Sequence, residues 1–214
     1  MLEGRRFIAV EGPIGVGKTS LARALAERLA ARLVLEPAEK NPFLEKFYSD
    51  MARYALATQL VFLVSRYQQQ AELTRRYLYH PLAISDYILA KDRIFASLTL
   101  NEDEFKLYAQ LYEMMSARAA KPDVVVLLQA DVETLMGRVR ARGIPYESAL
   151  PPEYLRRVVA AYDEFFRLYT DSPVLVVDTS GLDYSSGGPD VVELIGEIEQ
   201  TRSGCRRYAP GEPD

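Results

Sequence analysis

Cysteine is nearly absent from this chain: one residue, Cys205, among 214. A single thiol excludes an internal disulfide and suits a reducing compartment. It stands in a polar C-terminal stretch and reads as incidental. Long apolar runs are missing as well. None approaches the roughly eighteen residues of a membrane span, and the apolar segment in the opening "MLEGRRFIAVEG" is too short for a secretory signal. A cytoplasmic protein without membrane contact is the expectation. A basic excess is also lacking. With 26 Lys and Arg against 30 Asp and Glu the net charge is -4, so no electrostatic footprint for nonspecific nucleic-acid binding exists. Small molecules, or acidic groups met at a local basic pocket, are the partners left. No internal repeat occurs, which excludes a solenoid.

What is present is enough apolar residue, 49% of the chain, to bury one sizeable core. Short apolar segments alternate with longer amphipathic ones. "RFIAVE" (6–11), "RLVLE" (32–36), "LAISD" (82–86), "PDVVVLLQA" (122–130) and "PVLVVD" (173–178) read as strands. They do not alternate in polarity, so they are buried on both faces. The intervening helix-like stretches make the pattern βαβα. The fold expected is a single α/β domain over residues 1–201, with a five-stranded parallel sheet flanked by helices.

The longest helical stretch runs from about Met51 to Leu78 without Gly or Pro. Asn101 is placed to cap a second helix, and "LPPEYL" opens a third that continues to about Tyr169. Ser180 to Gly188 is rich in Ser and Gly, and residues 202–214 read as a disordered tail.

One stretch carries chemistry outright. Gly12-Pro13-Ile14-Gly15-Val16-Gly17-Lys18-Thr19, followed by Ser20, fits G-x-x-x-x-G-K-[ST] between a predicted strand and a predicted helix. Glycines permit positive φ and close backbone approach, so successive N–H groups can face one anion. Lys18 adds a charge, Thr19 a metal-ligating hydroxyl, and the helix N-terminus a favourable dipole. A nucleotide phosphate is the ligand implied. The P-loop alone does not choose among ATPase, GTPase, kinase and switch. The Asn-Lys-x-Asp guanine signature of GTPases does not occur.

Other stretches narrow the choice. Glu36 ends the second strand, and ligands of open parallel sheets bind beyond the carboxyl ends of the strands. Pro37 keeps it extended. Its carboxylate suits a base that orients or deprotonates an attacking hydroxyl; the alternative is a surface Glu before a turn. Asp86 ends the third strand, as a magnesium-associated acid, as the N-cap of a helix starting at Tyr87, or as both. Gln59 and Arg66 are seven residues apart on one face of the long helix. They can read a base edge through amide and guanidinium, or form a polar stripe. Arg138 and Arg142 share a face at i, i+4 before a Gly-Pro loop. They make either a hinged lid over the phosphates or an ordinary basic helix end.

Taken in order, "FIAVEGPIGVGKTSLA", "LEPAEKNPFLEKFY", "QLVFLVSRYQQ", "ISDYILAKDRIFA" and "RVRARGIPYES" resemble the deoxynucleoside kinases, most of all the bacterial deoxyguanosine and deoxyadenosine kinases. The resemblance covers about Arg6 to Asp178. It implies a P-loop kinase fold with a short arginine-bearing lid, ATP as donor, Mg²⁺ as cofactor, a purine deoxynucleoside as acceptor, a salvage role and a homodimer. It implies that Glu36 acts on the 5′-hydroxyl and that Gln59 and Arg66 recognise the base. Tyr48 and Glu147 would hold the 3′-hydroxyl. Lys18, Thr19, Arg138 and Arg142 would serve the phosphates, and Tyr184 would stack on the ATP adenine. Animal relatives carry acid-Arg-Ser where this chain has Ser85-Asp86-Tyr87. The magnesium role of Asp86, and whether Lys91 or Asp92 faces the base, are thus questions for the structure.

Overall fold

Strands apolar on both faces need cover on both faces, and that requirement orders the molecule around β1 (Phe7–Glu11), buried at all five positions. The computed structural model describes residues 4–76, 82–117, 119–179 and 189–209. Beside β1 lie β3 (Ala83–Ser85) and β4 (Val124–Gln129), both parallel to it, with Ile8 opposite Ile84 and Val124. Beyond them are β2 (Arg32–Val34) on one side and β5 (Val174–Asp178) then β6 (Cys205–Tyr208) on the other, and the order is β2-β3-β1-β4-β5-β6. The chain builds one side of β1, then crosses to build the other. Such a reversal opens a crevice at the carboxyl ends of the strands.

β6 (Cys205–Tyr208) corrects the expectation of five strands and of a disordered stretch after residue 201. It pairs parallel to β5, Val174 opposite Cys205. Its side chains are polar because it is an edge strand of backbone hydrogen bonds, which no hydropathy pattern reveals. Gly204 turns the chain into it at φ 65°, and its carbonyl accepts from the Val174 N–H at 2.9 Å. Arg206 ties the strand to the preceding helix through Glu197 at 2.9 Å.

The helices are α1 (Lys18–Arg28), α2 (Leu44–Ser49), α3 (Met51–Arg76), α4 (Lys91–Thr99), α5 (Glu102–Ser116), α6 (Val132–Arg142), α7 (Pro152–Leu168) and α8 (Pro189–Gln200). Asn101 caps α5 as its sequence suggests, in a reciprocal capping box with Glu104, both bonds 3.0 Å. Proline opens α7. Sequence reading does not single out α8, although Val191, Leu194 and Ile198 recur at helical spacing and are fully buried. The long α3 is unusual in what it buries. Its inward positions include Ala55 and Leu63 but also Thr58, Gln59, Arg66 and Gln70. A helix that buries so many polar groups has a task besides packing.

Candidate active site

The P-loop shapes itself around two glycines. Gly12 has φ 145°, and a Cβ there would lie 2.4 Å from the Leu128 carbonyl oxygen on β4. Gly15 has φ 84°, and its Cβ would meet the Leu135 carbonyl at 2.8 Å. Only glycine fits both the angles and the approach. The loop leads straight into α1, so the helix N-terminus faces a cleft of about 670 Å³.

Ile14 to Ser20, Glu36, Tyr48, Gln59, Arg66, Asp86, Lys91, Arg138, Arg142 and Glu147 all line that one cleft. Gly12 and Pro13 do not line it, but their carbonyls accept from Lys18 Nζ at 2.7 and 2.9 Å. Tyr184 lies outside the described residues. Burial first, then the Lys91 ammonium, lowers the Lys18 ammonium to about 8, against the pull of Glu11, Glu36 and Asp86. A bound polyphosphate would raise it again.

Asp86 is not a helix cap. α4 begins only at Lys91 with Ala90 before it, and the Asp86 carboxylate instead accepts from the Thr19 hydroxyl at 2.6 Å and the Glu36 N–H at 2.8 Å. One side chain thus joins the end of β3, the start of α1 and the turn after β2. Two oxygen donors of this kind beside a P-loop suit a hard cation that keeps most of its ligands from phosphate and water. No cluster of three His, Cys, Asp or Glu able to hold a metal occurs among the described residues.

At the other end of the cleft Glu36 sits between two cations. Lys91 Nζ reaches its Oε2 at 2.7 Å, and Arg66 pairs with its Oε1. Burial alone would raise the Glu36 carboxyl, but Arg66 and then Lys91 overcome that and hold it at about 2. Arg66 also pairs with Asp92, which is fully buried. Lys91 therefore faces the cleft while Asp92 backs Arg66 from outside it. Arg66 is engaged on both sides, over the Phe62 ring at 4.8 Å. Gln59 is more lightly held, its amide donating to the Thr99 hydroxyl at 3.4 Å.

Tyr48 stacks on Tyr146, ring centroids 5.8 Å apart at 17°. Burial, aided by Tyr154 and Glu147, pushes the Tyr48 phenol far up, so it remains a neutral hydroxyl. Glu147 pairs with Arg142 across the Gly143 turn that ends α6. Arg138 points elsewhere, to the Val16 carbonyl and to Thr179. Arg138 and Arg142 share a helix face but not their partners.

An anion cradle, a paired Thr19 and Asp86, and a clamped carboxylate in one cleft describe a phosphoryl-transfer site. The sequence matches the deoxynucleoside kinase family over residues 8–201. The chain belongs to that family. It is 30% identical over 200 residues to a deoxyguanosine kinase of Bacillus subtilis, covering 91% of this chain and 96% of that one. It is 28% identical over 200 residues to a deoxyadenosine/deoxycytidine kinase of the same organism, covering 90% and 91%. The fold is also that of a deoxyadenosine kinase from M. mycoides solved with bound dATP, with TM-score 0.77, 24% identity, and coverage of 90% and 98%.

In this deoxynucleoside kinase sequence reasoning passes over two groups. Phe62, Phe95, Tyr146 and Tyr154 line the same cleft, and aromatic residues on amphipathic helices carry no mark that separates a pocket wall from core. Glu11, fully buried at the end of β1, accepts from the Gly12 N–H at 3.0 Å, the Ile88 N–H at 2.8 Å and the Tyr162 hydroxyl at 3.1 Å. A carboxylate closing an apolar strand was the available signal. No helix among the described residues is long and apolar enough to cross a membrane.

Proposed function

We propose that this deoxynucleoside kinase moves the ATP γ-phosphoryl group to the 5′-hydroxyl of a purine deoxynucleoside, deoxyguanosine or deoxyadenosine, for nucleotide salvage. The observation that carries the reading is Glu36, clamped by Lys91 at 2.7 Å and by Arg66 in the cleft that the P-loop lysine also lines. The names of the two Bacillus subtilis relatives support the choice of deoxynucleoside.

Glu36 receives the 5′-hydroxyl as a hydrogen-bond donor and aims its oxygen at phosphorus. A carboxylate held at about 2 is ionised at neutral pH but weakly basic. Its work is orientation first, with the proton taken as the new P–O bond forms. Lys18, Arg138 and Arg142 neutralise the charge on the moving group. Magnesium would be held by the Thr19 hydroxyl and the Asp86 carboxylate, and supplies further neutralisation of phosphate charge when bound. Tyr48 and Glu147 take the 3′-hydroxyl, and Gln59 with Arg66 takes the base edge. Tyr184 on the ATP adenine rests on the family resemblance.

The charges of Glu36, Asp92, Arg66 and Lys91 cancel. Around Glu36 these four groups leave no surplus cation for an acceptor phosphate, which favours a nucleoside over a nucleoside monophosphate. Homodimerisation belongs to the same proposal: Val64 on α3 and Leu107 and Met114 on the adjoining α5 are exposed by 44%, 49% and 79%. A cytoplasmic setting without nucleic-acid partners fits the lone exposed cysteine and the acidic balance.

The test is ATP consumption with Mg²⁺ and each of the deoxynucleosides in turn, beside deoxyadenosine monophosphate. Fast turnover with deoxyguanosine or deoxyadenosine is the expected result. Turnover with the monophosphate alone would overturn the reading.

A further inference from the structure

Arg138 and Arg142 stand one turn apart on α6, yet the structure holds them by different means. Arg142, its side chain 45% exposed, pairs with Glu147 within the lid itself. Arg138 leaves the lid. Its Nη1 donates to the Thr179 hydroxyl at 2.8 Å and to the Val16 carbonyl at 3.3 Å, and its Nη2 donates to the Thr179 carbonyl at 2.6 Å. Thr179 follows β5 directly and is fully buried.

The Thr179 hydroxyl has a defined polarity. It donates its one proton to the Gln129 carbonyl at the end of β4, at 3.1 Å, so only its lone pairs face Arg138. The same Gln129 carbonyl also accepts the Thr179 N–H at 2.9 Å. The threonine is thus fixed to the sheet by backbone and side chain together, and it presents two acceptors to one guanidinium. Arg138 uses three of its five N–H groups on these partners and the P-loop, which leaves two for a ligand.

From this geometry we propose that Thr179 is a positioning residue for phosphoryl transfer, latching Arg138 against the P-loop. Arg138 is the fixed arginine of the pair, and Arg142 is the one that travels with the lid. Preorganised charge stabilises a transition state because it does not reorganise during the reaction. The inference rests on the proposed phosphoryl-transfer function and adds a residue to it.

Thr179→Val keeps the shape and the backbone bonds but removes the hydroxyl acceptor. The Gln129 carbonyl retains its N–H partner, so the fold is kept. With ATP and the best deoxynucleoside, kcat should fall about tenfold while KM for the nucleoside stays within about twofold. Thr179→Ser, which restores the hydroxyl, should recover kcat to within about threefold of wild type. In an Arg138→Ala background, followed by product accumulation, adding Thr179→Val should lower turnover by less than about twofold. A Thr179→Val enzyme as fast as wild type would overturn the latch alone. So would an equal loss in the Arg138→Ala background, which would mark a role in the fold only. A wild-type enzyme without deoxynucleoside turnover would overturn the functional reading and the latch with it.

Discussion

At the P-loop end of the cleft the backbone sets the geometry, whereas around Glu36 buried ion pairs do. The P-loop is positioned by glycine angles, by the start of α1 and by carbonyls that hold Lys18. Every part of it lies within ten consecutive residues. The ion-paired end draws Glu36 from the turn after β2, Arg66 from α3, and Lys91 and Asp92 from α4. A local device tolerates little change in its own residues. A distributed device can lose Lys91 and keep its shape, because Glu36 still pairs with Arg66 and Arg66 with Asp92.

That contrast can be broken at its strongest point first. Gly12→Ala puts a Cβ 2.4 Å from the Leu128 carbonyl at a φ of 145°. The loop must move, and the Lys18 anchor with it. We expect kcat/KM for ATP to fall about a thousandfold, while a fluorescent deoxynucleoside still binds. Near-normal ATP affinity would mean that the backbone is not what positions the donor.

Lys91→Met probes the ion-paired end more gently. Arg66 still holds Glu36, so we expect a loss in kcat of about tenfold to a hundredfold, with ATP affinity unchanged. The pH behaviour sharpens the comparison. Glu36 is depressed from an ordinary 4.5 to about 2. A carboxyl with a depressed folded value adds stability above about pH 4.5 that is lost as pH falls towards about 2. Removing the Lys91 cation raises the Glu36 carboxyl, so acid unfolding should begin at higher pH in the variant. An acid transition that does not move would disconnect Lys91 from Glu36.

The smallest effect belongs to a site outside both ends. Asn101→Ala removes the α5 cap and should lower stability by about 1 kcal/mol, read as a shift in Tm, with kcat untouched. A change in kcat would mean that α5 supports the site through its packing on α3.

The same contrast explains what the sequence discloses. β1, β4 and β5 are legible because buried strands must be apolar throughout, and the P-loop because its residues are contiguous. Glu36, Gln59, Arg66 and the lid arginines can be named from spacing and resemblance, but not their partners. The ion pair of Arg66 with Asp92 joins residues 26 positions apart, and the bonds of Arg138 reach 41 positions to Thr179. Only the tertiary fold creates such neighbours. Asp86 shows the limit within a single residue. A carboxylate after a strand is placed to cap a helix, and the four residues before α4 direct it to Thr19 instead. β6 escapes because an edge strand is made by backbone bonds.

The central claim is that Glu36 orients the attacking 5′-hydroxyl. Glu36→Gln keeps the size and can still accept a bond from Lys91, but removes the charge. The decisive measurement is single-turnover formation of the deoxynucleoside 5′-monophosphate by this variant beside wild type, with ATP affinity measured on the same samples. The account predicts a loss of at least about a hundredfold in rate with ATP affinity within about threefold of wild type. Wild-type turnover by Glu36→Gln would contradict it.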